Sequence, residues 1–208
     1  MRRMGKIEQN KKRKQTALYD TAYDLFTTKG IQNTAISDIV EKAGVAKGTF
    51  YLYFKDKYDI KNKLVVRKAS ELFSEANIAL EKTDITGLTE CLLFIMHTIL
   101  DKLEKNHSLL IFIAKNLGWG VFRSMLNQPM DKEEKDGFNF YEIFEKMLEK
   151  EEAAYYEPDI MLFTILELVS STCYSSILYS EPVPMDEYRP YLDRAIVGII
   201  KSHQNPVQ

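Results

Sequence analysis

Residues 34–59, TAISDIVEKAGVAKGTFYLYFKDKYD, constrain this chain more than any other stretch. Ile36, Ile39, Val40 and Ala43 recur at the i, i+3, i+4, i+7 spacing of an amphipathic helix. Thr34 stands where an N-cap belongs, and Asp38 puts a carboxylate in the first turn. Gly44 stops that helix, because a residue without Cβ enters the left-handed region at little cost. Residues 46–54 then predict a second short helix, with Phe50 and Phe54 inward and Lys47, Gly48, Thr49, Tyr51 and Tyr53 outward. Two helices across a tight glycine turn form the geometry that lays a recognition helix in the DNA major groove. The outward face suits such a groove, since it offers one cation, two phenolic hydroxyls, a threonine hydroxyl, and a glycine that admits a close phosphate. Asp56 caps the next helix, and Lys57 lies in its first turn, where an ammonium beside a helix N-terminus can hold a phosphate. The DNA-contacting set expected from these residues is Thr34, Lys47, Gly48, Thr49, Tyr51, Tyr53 and Lys57.

The same residues resemble a family. GVAKGTFYLYFKDKYDI, residues 44–60, is similar to the signature of the TetR family of transcriptional repressors, roughly Gly-Val-Ser-Lys-Gly-x-aromatic/Leu-Tyr-x-Tyr/His-Phe-x-x-Lys. Upstream, ALYDTAYDLFTTKGIQNTAISDIVEKAGV is similar to that family's first two helices through Phe26, Gly30, Thr34, Ile39 and Ala43. The resemblance spans about residues 14–64, and Ala46 departs from it, standing where the family often has a capping serine. It implies an all-α chain of about nine helices: a three-helix head, a long linking helix, and a helical body that binds an effector and dimerises through its last two helices. It also implies a repressor acting on double-stranded operator DNA.

Charge divides along the chain in the same sense. Residues 1–68 hold 16 Lys and Arg against 7 Asp and Glu, a surplus of nine positive charges; the remaining residues hold 12 against 23, a surplus of eleven negative. A basic unit joined to an acidic one is the footprint of a small nucleic-acid reader on a body that stays off the polymer. The expected domains are residues 1–60, the helix-turn-helix head, and 61–208, the effector-binding and dimerisation body. Arg2, Arg3, Lys6, Lys11, Lys12, Arg13 and Lys14 form a basic arm, either a solvated tail or a contact to phosphate and the minor groove.

Helix one carries Leu18, Ala22, Leu25 and Phe26 inward and stops at Gly30, with Tyr19 and Tyr23 at the edge of that stripe. The fourth helix is long, since Leu64, Val65, Ala69, Leu72, Phe73, Ala76 and Leu80 continue one periodic stripe that joins head to body. Further helices are expected after Gly87, over 107–116, over 138–152, over 158–179 and over 186–202, with a break at residues 118–120 and a charged loop over 127–137. No strand is predicted. Cys91 and Cys173 sit in apolar runs far apart and read as buried free thiols of a reducing compartment. The first residues are basic and polar rather than an apolar leader, and residues 160–179 contain Glu167 and several hydroxyls, so no membrane partner is expected and the location is cytoplasmic.

Residues 158–179 are apolar on more than one side. Leu162, Leu166, Val169 and Cys173 make one stripe; Met161, Ile165, Leu168, Thr172 and Ser175 make another. A helix apolar nearly all round must be covered all round. The second stripe is therefore expected against a symmetric copy, with the last helix alongside. A two-fold dimer sets its recognition helices about 34–36 Å apart and asks for a palindromic site.

A body rich in aromatic residues and methionine offers an effector pocket, whose expected lining is Phe94, His97, Phe112, Trp119, Phe122, Phe163, Glu167 and Tyr174. Taken singly, each aromatic is better explained by core packing. Glu167, in an apolar run, needs a partner: Arg189 or Arg194 across the interface, or a cationic group on an otherwise apolar effector. Nothing points to catalysis, a metal or a cofactor. His97, His107 and His203 lack i, i+4 pairing, and no GxSxG, P-loop or GxGxxG motif occurs. The remaining alternatives are a helical protein-interaction module, which leaves the basic head unexplained, and a DNA-binding regulator without an effector.

Overall fold

The computed structural model describes residues 5–114 and 140–204. Among these the chain is all-α: α1 Lys6–Thr28, α2 Ile36–Lys42, α3 Lys47–Tyr53, α4 Lys57–Leu80, α5 Leu88–Lys105, α6 His107–Ala114, α7 Phe140–Leu148, α8 Pro158–Tyr179 and α9 Met185–His203. The single β-type contact in them is an isolated bridge between Tyr155 and Gln204. Trp119, Phe122, the 118–120 break, the 127–137 loop and Arg2 and Arg3 lie outside the described residues. The chain divides into two compact units, Met1–Arg67 and Lys68–Gln208. That division falls within α4, seven residues beyond the expected 60/61 boundary, because Leu64 and Val65 belong to the buried residues that follow Ile60.

In the first unit the core comprises Leu18, Ala22 and Phe26 of α1, Ile39 of α2, Phe50 and Phe54, and Ile60 and Leu64 of α4. Tyr19 is core rather than edge: it is 6% exposed and meets Phe54 edge-on at 5.1 Å. Gly30 and Gly44 take φ of 81° and 65°, which only a residue lacking Cβ adopts readily, and the chain turns sharply after α1 and α2. Lys6 to Lys14 form the opening turns of α1, so this part of the basic arm is helical.

The second unit buries Leu88, Leu92 and Leu100 of α5, Phe144 of α7, Met161 of α8 and Leu192 and Ile196 of α9 in one cluster. α7 ends at Leu148, short of the expected 152. The loop that follows ties back onto α5. Its Glu151 carboxylate accepts the Leu88 N–H at 2.5 Å, capping that helix, and the Tyr155 hydroxyl at 3.4 Å. Both cysteines are buried and free; burial pushes the Cys173 thiol up to about 12 and raises that of Cys91, so both stay protonated.

α8 corrects the expected stripes. Leu162 and Cys173 of one, and Met161 and Ile165 of the other, are all buried within the chain's own core. The helix instead leaves a third side open, along Ile160, Phe163, Thr164, Glu167, Ser171, Tyr174 and Leu178, all exposed or half-buried. A pattern that is apolar all round fixes no rotation about the helix axis. The buried side runs through Met161, Leu162, Ile165 and Cys173, and it takes in the small Ser176, 2% exposed.

Candidate nucleic-acid interface

α3 is seven residues long, with Ala46 as its N-cap and no side-chain cap bond, as the missing serine predicts. Phe50 and Phe54, 0% and 1% exposed with ring centroids 5.4 Å apart, anchor its inner side. That anchoring turns Lys47, Gly48, Tyr51 and Leu52 to solvent, and leaves Thr49 and Tyr53 half-buried. The Lys47 ammonium has no ion pair or hydrogen bond among the described residues. Tyr53 is tied down: its hydroxyl donates to the Lys11 carbonyl of α1 at 3.1 Å. Leu52, absent from the expected set, is 79% exposed. The signal that could have found it is its position four residues after Gly48, on the outward line of the helix.

Two members of the expected set have other roles. Thr34 is 1% exposed, and its hydroxyl donates to the carbonyls of Gly30 at 2.9 Å and Leu25 at 3.4 Å. It thereby ties the turn after α1 to the last turn of that helix, and its buried side chain presents no surface; the N-cap of α2 is Ala35, whose N–H is accepted by Asp38 at 3.3 Å. Lys57 likewise turns inward. Its ammonium donates to the carbonyls of Ile31 at 2.9 Å, Gln32 at 3.2 Å and Thr34 at 3.3 Å, which uses all three of its protons. It clamps the turn between α1 and α2 and holds no phosphate in this arrangement. Asp56 caps α4 as expected, accepting the N–H groups of Tyr58 at 2.7 Å and Asp59 at 2.9 Å, while Asp59 accepts that of Lys55 at 2.8 Å.

In the body, a cavity of about 140 Å³ is walled by side chains of α4 to α8, among them Leu72, Phe73, Ile95, Met96, Ile113 and Leu162. Of the expected effector residues that are described, only Glu167 reaches it, and from an exposed position. Phe94, Phe112, Phe163 and Tyr174 lie elsewhere: the first two pack in α5 and α6, the others stand on the open side of α8. His97 is engaged with α9, its Nε2 2.8 Å from Asp193. Arg189 is held within its own chain by Asp101 and Glu104, both at 2.6 Å, which removes it as a partner for Glu167. The Arg194 guanidinium stacks over Tyr191 at 4.8 Å on the solvent side of α9.

A glycine-turned helix pair presenting a free lysine and exposed aromatic and apolar side chains, in a unit with a large positive surplus, defines a helix-turn-helix protein of the DNA-binding class. Residues 18–63 match the family model for bacterial regulatory proteins, tetR family. Over these residues the chain carries the DNA-binding domain of the TetR family of transcriptional regulators. It is 50% identical over 40 residues to the uncharacterized HTH-type transcriptional regulator YvdT of Bacillus subtilis (strain 168), covering 19% of this chain and 21% of that one. It is 38% identical over 61 residues to the fatty acid metabolism regulator protein of the same organism, covering 29% and 31%. These alignments span less than a third of either relative. Solved structures extend the likeness of fold over about nine-tenths of the chain. A putative TetR-family transcriptional regulator from Syntrophomonas wolfei superposes with TM-score 0.63 at 21% identity, covering 92% of this chain and 96% of its own. The regulator FadR from Bacillus subtilis in complex with stearoyl-CoA does so with TM-score 0.59 at 18% identity, covering 89% and 98%.

Proposed function

We propose that this protein is a transcriptional repressor that binds a palindromic operator as a homodimer and is released by a small apolar effector, working in the cytoplasm and not as an enzyme. The observation that carries the reading is the outward line of α3. Lys47, Gly48, Tyr51 and Leu52 stand free of the chain's own core while Phe50 and Phe54 hold the helix rigidly from behind. Rigid presentation of a few side chains is what reading base edges requires.

Dimerisation through α8 and α9 is supported by surface that neither helix covers. The open side of α8 alternates Ile160, Phe163, Tyr174 and Leu178 with Thr164 and Ser171, and α9 offers Tyr191, Ala195 and Gly198 at helical spacing. A Cβ at Gly198 would meet nothing within 4 Å, so nothing inside the chain requires a glycine there; close approach of a second helix would. Glu167 and Arg194, both exposed, are then the pair to meet across that interface. The effector reading rests on the apolar cavity of the body, to which α4 contributes Ala69, Leu72 and Phe73. A ligand there pushes on the helix whose N-terminal half carries Ile60 and Leu64 of the head core, and about 1–3 kcal/mol of coupling would suffice for a switch.

The test is binding to duplex DNA flanking the protein's own gene, followed by fluorescence anisotropy across a salt series, with sedimentation to give the mass of the bound species. A dimer that makes roughly 6–10 phosphate contacts should weaken about 10³–10⁵-fold between about 50 and 200 mM salt. Absence of binding, or binding indifferent to salt, defeats the proposal.

A further inference from the structure

Leu52 and Gly48 form the outermost line of α3, four residues apart and about half a turn round from the buried Phe50. Neither is explained by the protein itself. Leu52 is 79% exposed, the largest apolar exposure in the head after Ile7. Gly48 has no left-handed backbone, and a Cβ built on it would meet nothing within 4 Å, so neither conformation nor packing requires glycine. Glycine in a helix is costly relative to alanine. A bare stretch of helix beside a protruding leucine is what a surface approaching closely from outside would need.

Resting on the DNA-binding reading above, we propose that Leu52 is a specificity-determining residue that packs against the 5-methyl group of a thymine in the major groove, with Gly48 supplying the clearance that lets α3 approach. The nine-charge surplus of residues 1–68 and the free ammonium of Lys47 one turn before Tyr51 select a polyanion as the occupant of this face rather than an apolar protein surface. The thymine methyl is the apolar group that a duplex displays in its major groove, and it distinguishes T from C in a way a leucine can read. The phenol of Tyr51 and the ammonium of Lys47, one turn apart on the line beside this one, have phosphate and base acceptors within the same groove to engage.

The experiment uses the full-length protein. A duplex is selected from a randomised pool by the wild type, and each thymine in it is then replaced singly by uracil, which differs only in lacking the methyl. At one position per half-site the wild type should weaken about four-fold, the value of one buried methyl group. Leu52→Ala should bind the selected duplex more weakly, keep the wild-type salt slope and melting temperature, and respond to uracil at that position by less than about two-fold, since the contact that read the methyl is gone. Gly48→Ala should melt no lower than wild type yet bind less tightly. Wild type indifferent to every uracil, or Leu52→Ala retaining the same sensitivity, overturns the inference while leaving DNA binding intact. Gly48→Ala melting lower than wild type removes its second support by giving that glycine a structural role. Failure of the wild type to select any duplex in a salt-dependent manner sinks this inference together with the DNA-binding reading, and a pool-independent partner captured through Leu52 would do so in favour of a protein-binding face.

Discussion

α3 and α8 both present apolar surface that the described residues leave uncovered, and the way they do so differs. α3 shows one large aliphatic side chain, Leu52, among a lysine, a glycine and tyrosines, in a region with nine surplus positive charges. α8 shows a row of Ile160, Phe163, Tyr174 and Leu178 interleaved with Thr164, Glu167 and Ser171, in a remainder with eleven surplus negative charges. Isolated apolar groups set among cations suit a polyanion that carries occasional methyl groups. Apolar groups repeated along the whole length of one side suit another helix. Neighbouring charge and repetition along the helix, more than hydrophobicity itself, separate a nucleic-acid face from a protein face.

The largest effect that would test this contrast lies behind the interface. Phe50→Ala removes a fully buried ring packed against Phe54, and should destabilise the head by about 3–5 kcal/mol. Hydrogen exchange should quicken across residues 18–63 and stay slow in α5 and α9. Equal quickening in both would mean that the two units unfold as one, and that the contrast between them is not one of independent folding units.

Gly198→Arg comes next. The glycine is exposed and a side chain there meets nothing in its own chain, so the protomer should keep its stability. If α8 and α9 pair with a second copy, sedimentation should show the mass halved. Operator affinity should then fall at least about 100-fold, as expected when two linked heads are separated. A dimer that survives this substitution places the interface elsewhere.

How much of this was legible in the sequence follows the same contrast. The head was readable because spacing and turn chemistry act locally: Gly44 at positive φ, Asp56 as a cap, and Phe50 and Phe54 inward all lie where the pattern puts them. Thr34 and Lys57 misled because a hydroxyl or an ammonium near a helix end has two sets of acceptors within reach. Whether these are the carbonyls of a neighbouring turn or the oxygens of a ligand depends on how the turn after α1 packs: Thr34 bonds carbonyls four and nine positions back, and Lys57 carbonyls more than twenty positions back. In the body the helices were legible and the pocket was not. Aromatic residues mark a large volume but not a cavity, and the wall that formed is mostly aliphatic, from α4 to α8. α8 gave no phase, since apolar residues on every side leave its rotation to packing.

The clamp at Lys57 sharpens the point. Lys57→Met removes three donated bonds and leaves the carbonyls of Ile31, Gln32 and Thr34 without them, which should cost about 1–2 kcal/mol of head stability, seen as an earlier urea midpoint. The salt dependence of DNA binding should be unchanged, because no phosphate contact is lost. A shallower slope with unaltered stability would return Lys57 to the phosphate-binding role its position in the sequence suggests.

Lys47→Met is the counterpart, and its effect is the smallest in energy and the most specific in kind. Lys47 is exposed, makes no ion pair among the described residues, and precedes the turn that Phe50 anchors, so the protein gains little from its charge. Stability should shift by no more than about 0.5 kcal/mol. If its ammonium displaces one condensed counterion from the duplex, the slope of log affinity against log salt should become shallower by about 0.9 per head. Affinity at low salt should fall almost uniformly across sequences, because a phosphate contact positions the helix without reading a base. The two lysines lie ten residues apart in one motif and carry the same charge. If one changes only the folding midpoint and the other only the salt slope, the division between the inner clamp and the outer reading face is a physical property of the head; if both change both, it is not.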